Sequence, residues 1–479
     1  MSYLVLAAHI IIIIGLTIRV LMKRRPVGVS LAWLILIAIL PFAGVMLYLF
    51  IGERRLGKHR AERAEALLGP YEEWLQEMKE NTEVGHPQLS RRGAAINRLA
   101  ESTLGIPAMG GNRVQLLEEA EIALRSIIAD IDRAKGNCHM EFYIWGEGGI
   151  ADQVGEALIR AAKRGVPCRV LVDAVGSNSF LQSGLAKRFK KNGIELVAAL
   201  PVGPLRMAFV RLDLRLHRKI VVIDGEIAYT GSLNLIDPRY FKQKAQVGQW
   251  VDAMVRMEGP AVQALGAIFM WDWEVETTRG IELLKNTRDL KAVTQVGSAA
   301  VQVVPSGPGY KSDTIHQLLL NSIYTAEKEL VITTPYFVPD ESLVSALQSA
   351  ALRGVEVTII LPERLDLRLP FYASRSYFDD LLAAGVRLYH FREGLLHTKS
   401  VTVDGDITLF GTVNLDMRSF WLNFEVTLLV YDSDFAKQLR RLQKSYLEKS
   451  NPIDPEIWQK RSARERFLEN AAQLFAPLL

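Results

Sequence analysis

Two stretches of this chain each set a histidine, a lysine, a hydroxyl and a carboxamide at fixed spacing. The first reads His217-Arg-Lys219, then Asp224-Gly225, then Gly231-Ser232-Leu-Asn234-Leu235. The second lies 180 residues on: His397-Thr-Lys399, then Asp404-Gly405, then Gly411-Thr412-Val-Asn414-Leu415. Lysine offers a compact cation to phosphoryl oxygens, and Asn, Ser and Thr donate hydrogen bonds to them. Histidine can attack as a nucleophile or move a proton near neutral pH. One copy could hold an anion. Two copies facing one another supply both an attacking group and a proton donor for a leaving alkoxide, which is what phosphodiester transfer requires. No clustered carboxylates of the kind a two-metal phosphodiesterase uses are visible, and no Cys/His spacing suggests zinc, so neither a metal nor a cofactor is expected.

These side chains need strands to aim them. Residues 220–223 and 400–403 are β-branched runs ending in Asp-Gly, a hairpin signal. Alternation along a strand puts His217 and Lys219 on one face, and His397 and Lys399 likewise. A two-residue turn at Asp224-Gly225 would set Ser232 opposite His217; the same arithmetic sets Thr412 opposite His397. Ser232, Asn234, Thr412 and Asn414 are therefore expected to bind substrate beside the His-Lys pairs. Asp224 and Asp404 belong to the same signature as the catalytic residues. Each lies five residues past its lysine, about 16 Å along an extended strand, so a structural part is expected: a turn, backbone hydrogen bonds or a salt bridge. Asp252 and Glu425, on later apolar segments of their halves, are the candidates for orienting the histidines. His9, His59, His86, His139, His316 and His390 lack such company and read as surface or packing residues. Arg206, Arg211 and Arg215 precede the first motif and could meet lipid headgroups or form a solvated basic face.

A wider repeat surrounds the motifs. Strand-like residues 141–145, a helix over 154–164 stopped by Gly165, and a strand at 168–172 recur as a strand at 331–334, a helix over 343–353 stopped by Gly354, and a strand at 357–361. Alternating strands and helices predict an α/β class with parallel sheets and helical layers, in two tandem halves, 112–290 and 291–479, packed as a pseudo-dimer. The 479 residues suffice for sizeable cores. A net charge of +4, from 57 Lys and Arg against 53 Asp and Glu, gives no indication of a nucleic-acid partner. Cys138 and Cys168 are too few for a disulfide framework and read as buried thiols.

The N-terminus differs in kind. Residues 3–22 are almost wholly apolar and residues 31–51 carry no charge, each near the roughly 20 residues that span a bilayer core. A membrane anchor over residues 1–52 is expected, as a transmembrane helical hairpin, followed by a charged helical linker over 53–111 read as a surface helix and a link. Arg19, Lys23, Arg24 and Arg25 at the connector nearly balance Arg54, Arg55, Lys58, Arg60 and Arg63 after the second span, a slight lean to a cytoplasmic catalytic region.

Both motifs match the H-x-K-x4-D signature of the phospholipase D superfamily over nearly all of the chain beyond residue 110. More narrowly, residues 231–240, 248–252, 414–420 and 422–425, with Arg25-Pro26, Ala32-Trp33, Pro41 and Gly52 in the hairpin, make the chain resemble bacterial cardiolipin synthases of the two-span type. That resemblance implies two phospholipase D-like halves and a multi-pass protein of the bacterial inner (cytoplasmic) membrane. It also implies reversible transfer of a phosphatidyl group from one phosphatidylglycerol to another through a phosphohistidine, giving cardiolipin and glycerol. By analogy with relatives, His217 is the nucleophile and His397 the acid/base, with Lys219, Lys399, Asn234 and Asn414 on the phosphate. A hydrolytic phospholipase D or a phosphatidylserine synthase would share every catalytic residue, and the oligomeric state is left open.

Overall fold

The computed structural model describes residues 3–23, 27–53, 56–80, 89–203, 211, 213–277, 293–310 and 313–476. His86, Arg206 and the connector residues Arg24 to Pro26 lie outside them. The chain divides into two compact units, Met1–Glu62 with Val202–Leu214, and Arg63–Pro201 with Arg215–Leu479.

In the smaller unit, the apolar run at the start forms one helix, Tyr3–Met22, as long as expected. The second expected span is not one helix. It begins earlier, as Val27–Ile39, breaks at Leu40, and resumes as Pro41–Leu47 and a π-helical turn Tyr48–Gly52. Pro41 has no N–H to continue the ladder and takes the first position of the new helix, where none is needed. Among the described residues, no helix is long and apolar enough to cross a membrane. Val20, Ile37 and Tyr48 are fully buried at the centre of this unit. Gly44 permits the close helix approach, since a Cβ there would sit 2.5 Å from the Leu36 carbonyl oxygen. Arg19 grips Glu53 through two bonds of 2.6 and 2.8 Å, and Tyr48 donates to the same carboxylate at 2.9 Å.

Among the described residues, the larger unit is built on one sheet of fifteen strands. At its centre Met109–Leu117 and Ala299–Ser306 pair antiparallel. Outward from the first come Met254–Glu258, Ile227–Gly231, Lys219–Ile223, Cys138–Phe142, Cys168–Asp173 and Glu195–Ala199. Outward from the second come Glu425–Tyr431, Ile407–Gly411, Ser400–Val403, Glu329–Thr333, Glu356–Pro362 and Arg387–Phe391, with Ser450–Pro452 at the rim. The two tandem halves are therefore repeats of one strand order fused into a single sheet. That sheet is mixed: the three strands that follow the hairpin outward in each half pair parallel, while the hairpin strands and the rim strand Ser450–Pro452 pair antiparallel. The first strand starts at Met109, just before the expected edge of the first half.

Helices cover the sheet because their apolar residues fall at three- and four-residue spacing. Ile150–Lys163 buries Ala151, Val154, Leu158 and Ala161, and Glu341–Leu352 buries Leu343, Val344, Leu347 and Ala350. Both begin a few residues before the positions read from the sequence. The linker is less peripheral than expected: helix Arg91–Leu104 buries Ile96 and Ala100 in the core of the second half. Cys138 and Cys168 are buried free thiols.

Candidate active site

Each hairpin turn holds three residues, Asp224-Gly225-Glu226 and Asp404-Gly405-Asp406, one more than the sequence arithmetic assumed. Ile223 faces Ile227 and Val403 faces Ile407, so the register shifts by one. Asp224 and Asp404 adopt left-handed backbone, with φ of 56° and 49°. Their carboxylates stay at this far end of the hairpins. Asp224 accepts from the amides of Lys135, Gly136 and Asn137 at 2.5–3.1 Å. Asp404 accepts from Glu327, Lys328 and Glu329 at 2.7–2.9 Å, and pairs with Arg92. Both clamp the loop that enters the neighbouring strand; neither belongs to the histidine cluster.

The two histidines come together by crossing. The chain ahead of His217 runs beside the second half: Leu216 bridges Phe424 in parallel, and His217 N–H donates to the Phe424 carbonyl at 2.9 Å. The chain ahead of His397 does the same to the first half, pairing Leu395–Leu396 with Trp250–Val251. His397 N–H then donates to Val251 at 2.8 Å. That register sets each histidine next to the other half's carboxylate. His217 Nδ1 lies 2.7 Å from Glu425 Oε2, and His397 Nδ1 lies 2.7 Å from Asp252 Oδ1. The sequence singled out both carboxylates but placed them with their own halves; the pairing is exchanged.

Glu425 is itself held, its second oxygen accepting from Ser419 Oγ at 2.8 Å and Asn423 at 3.3 Å. Burial pushes the pKa of both histidines down to about 4, overcoming the neighbouring carboxylates, which raise it. Burial opposes ionisation of Glu425 and Asp252 too, yet their histidines and nearby lysines hold both below the usual carboxylate range. At neutral pH each pair is thus a neutral imidazole and a carboxylate. Nδ1–H donates to the carboxylate, and Nε2 carries a free lone pair.

Lys219 and Lys399 are buried and are not among the residues lining the cavity; each donates to its own histidine's carbonyl, at 2.6 and 2.5 Å. Burial lowers the pKa of Lys219 to about 8 and that of Lys399 to about 7. Because His217 and His397 open on the same cavity, each lysine also lowers the pKa of the opposite histidine, after burial and its own half's lysine.

Ser232 and Thr412 are not on the cavity wall. Ser232 Oγ exchanges bonds with Ala253 N–H and C=O, and Thr412 Oγ1 with those of Val426. They fasten each hairpin to the residue that follows the orienting carboxylate, Ala253 after Asp252 and Val426 after Glu425. The preceding glycine permits that approach: a Cβ on Gly231 would sit 2.6 Å from Ala253 O, and one on Gly411 2.3 Å from Val426 O. Asn234 and Asn414 do line the cavity with His217 and His397. The Asn414 side-chain oxygen has no partner among the described residues.

This cavity of about 410 Å³ also exposes groups the motifs did not announce: Tyr143, Arg215, Lys242, Trp250, Tyr336, Asp366, Asp416 and Arg418. Tyr143 packs on His217 at 5.0 Å between ring centres and Trp250 on His397 at 4.4 Å. Of the three arginines ahead of the first motif, Arg215 lines this cavity and Arg211 pairs with Asp213. Tyr143 lies within the run 141–145 read as a strand, and the structure ends that strand one residue earlier, at Phe142. Asp366 and Lys242 lie in irregular chain and gave no signal. Among the remaining histidines, His139 stacks on Phe269 and His316 bonds Asp340. No group of three or more His, Cys, Asp or Glu that could hold a metal ion occurs among the described residues.

Comparison with known proteins agrees with this architecture. Residues 127–273 and 319–446 match the family described as cardiolipin synthase, PLD-like domain, and residues 11–53 match the phospholipase D-nuclease N-terminal family. Proteins named cardiolipin synthase A from Cronobacter sakazakii and Salmonella arizonae are each 46% identical over 478 residues, covering 100% of this chain and 98% of theirs. The crystal structure of a phosphatidylserine synthase from Haemophilus influenzae superposes with a TM-score of 0.58 at 17% identity, covering 80% of this chain and 99% of that one. At that identity the likeness concerns the fold alone.

Proposed function

The chain belongs to the cardiolipin synthase family of phospholipase D-like proteins, and from that premise we propose that it joins two phosphatidylglycerol molecules into cardiolipin and glycerol. The observation that carries this reading is the pair of crossed histidine–carboxylate contacts at 2.7 Å, opening on one cavity. Nε2 of His217 attacks the phosphorus of the first lipid. The bond to the headgroup glycerol breaks, its electron pair stays on the departing oxygen, and His397 delivers the proton. The anionic lipid itself makes that protonation feasible, since a negative charge beside a buried imidazole raises its pKa. A second lipid's headgroup hydroxyl then gives its proton to His397 and displaces His217 from phosphorus.

Asn234, Asn414 and the buried charges of Lys219 and Lys399 stabilise the phosphorane-like charge. Glu425 and Asp252 hold each imidazole in the tautomer with Nε2 facing phosphorus. Asp224 and Asp404 keep the hairpins in place.

A bilayer setting fits the smaller unit. Ile11, Ile18, Ile35, Ile39 and Phe42 are more than half exposed there, an arrangement water disfavours and hydrocarbon accepts. We read residues 1–52 as the multi-pass anchor in a bacterial inner membrane, with the five basic residues after the second span setting the catalytic part on the cytoplasmic face. Purified protein given phosphatidylglycerol in mixed micelles tests the reaction. Cardiolipin and glycerol in equal amounts are expected; phosphatidic acid as the main product would assign a hydrolase instead.

A further inference from the structure

We propose that Asp366, held by Tyr336 and Lys242, is the subsite that reads the hydroxyls of the acceptor headgroup; this rests on the transferase reading above, with His397 as acid/base. A carboxylate is an unexpected lining for a cavity that receives phosphodiesters, because it repels them. Asp366 nevertheless sits in that wall with its side chain only 4% exposed. Its partners are two other wall residues. Tyr336 Oη donates to Oδ1 at 2.8 Å, and Lys242 Nζ donates to Oδ2 at 3.0 Å. A carboxylate accepts about four hydrogen bonds, so capacity remains on both oxygens. Asp416, the other acidic lining residue, differs: it caps a helix through the Ser419 amide at 2.8 Å.

The position of the cluster indicates what it meets. Lys242 lies 5.4 Å over the Trp250 ring, and Trp250 packs on His397. The cluster therefore flanks the acid/base histidine, on the side where headgroup glycerol departs and the second lipid's hydroxyl enters. In the first half the acid nearest this place, Asp173 at the end of its strand, spends its carboxylate on the amides of Val175, Gly176 and Leu216 and is not among the residues lining the cavity, and the loop after it, Ala174 to Ser177, contains no acidic residue. Two halves that are alike at the histidines are thus unlike at this wall, as a reaction with one donor and one acceptor needs.

Glycerol is the part of phosphatidylglycerol that a carboxylate attracts. The hydroxyl beside the attacking one can donate to Asp366, whereas water and simple alcohols have no second hydroxyl to offer. Lys242 offsets the charge so that two anionic lipids can approach. Tyr336 is kept protonated, its pKa raised well above the ordinary phenol value by burial and then by Asp366 itself, and so remains a donor that fixes the carboxylate.

The test is a competition within one reaction. Full-length protein in phosphatidylglycerol micelles receives labelled glycerol and 1-propanol together, and labelled phosphatidylglycerol is counted against phosphatidylpropanol. In each case the new oxygen–phosphorus bond replaces the histidine–phosphorus bond and the alcohol's proton goes to His397. Loss of one charge-assisted hydrogen bond lowers the glycerol-to-propanol ratio about tenfold in Asp366→Asn. Tyr336→Phe moves it in the same direction by a smaller factor. A ratio compares two products of the same molecules, so poor folding cancels. An unchanged ratio in both variants, including one where both products fall together, overturns the subsite. Wild-type protein that makes no cardiolipin overturns the transferase reading instead, and the two failures cannot be confused.

Discussion

Replacing Glu425 by Gln removes the charge beside His217 while keeping the shape of the side chain. The contact is short, at 2.7 Å, and Glu425 is fully buried. A hydrogen bond to a charged group contributes about 1.5–3 kcal/mol, and each 1.36 kcal/mol is tenfold in rate, so phosphatidyl transfer should fall about 10- to 150-fold. The amide can also present N–H to Nδ1, favouring the tautomer whose Nε2 bears a proton and cannot attack. Asp252→Asn should cost a similar factor through His397. The two losses differ in kind, and the leaving group separates them. A p-nitrophenyl phosphatidyl ester releases a phenolate that needs no proton, so rapid-quench measurement of adduct formation should show Asp252→Asn restored to near wild type. Glu425→Gln stays 10- to 150-fold slow. Because Glu425 raises the His217 pKa, its loss should also move any acid limb of the rate to lower pH. Equal rescue of both variants, or the reverse pattern, would refute the crossed assignment.

Other perturbations follow from the same contacts. With Lys399 near 7 and Lys219 near 8, transfer should decline as pH rises through that window and the cations are lost; a flat profile from pH 6 to 9 would contradict it. The histidines' folded values, about 4, lie below the unfolded 6.5, so the unfolded chain takes protons first. Stability should be full above pH 6.5 and decline as pH falls toward 4, seen as a dropping unfolding midpoint. Asp224→Ala strips acceptors from three amides and should lower unfolding free energy by about 2–4 kcal/mol in denaturant titration. Arg218 is fully buried against Asp272. Arg218→Met alone should destabilise by about 3–5 kcal/mol, and Arg218→Met with Asp272→Leu should recover most of it.

The repeat, the hairpins and the four motif residues were legible because they are local: β-branched runs, Asp-Gly turns and spacing fix which side chains share a face. What spacing could not reveal depends on pairing between distant segments. Glu425 and Asp252 were recognisable as carboxylates on apolar segments, but their exchange arises from parallel contacts of Leu216 with Phe424 and Leu396 with Val251. Ser232 and Thr412 have residue types that suit phosphate, and only the third residue in each turn, with the glycine's close approach, turns them onto the backbone. The break at Leu40–Pro41 shows the limit of reading hydropathy alone, since composition gives a run its apolarity but proline decides where its helix stops. Asp366 and Lys242 lie outside any period or motif, and the fold alone brings them to His397.

The most direct measurement is to locate the lipid adduct. Protein loaded with the p-nitrophenyl donor is quenched, digested and mapped by mass spectrometry. A phosphatidyl group on His217 is expected, persisting in His397→Asn and absent from His217→Asn. An adduct on His397 in the His217→Asn variant, or cardiolipin formed by either variant, would contradict a single site built from both halves with His217 as its nucleophile.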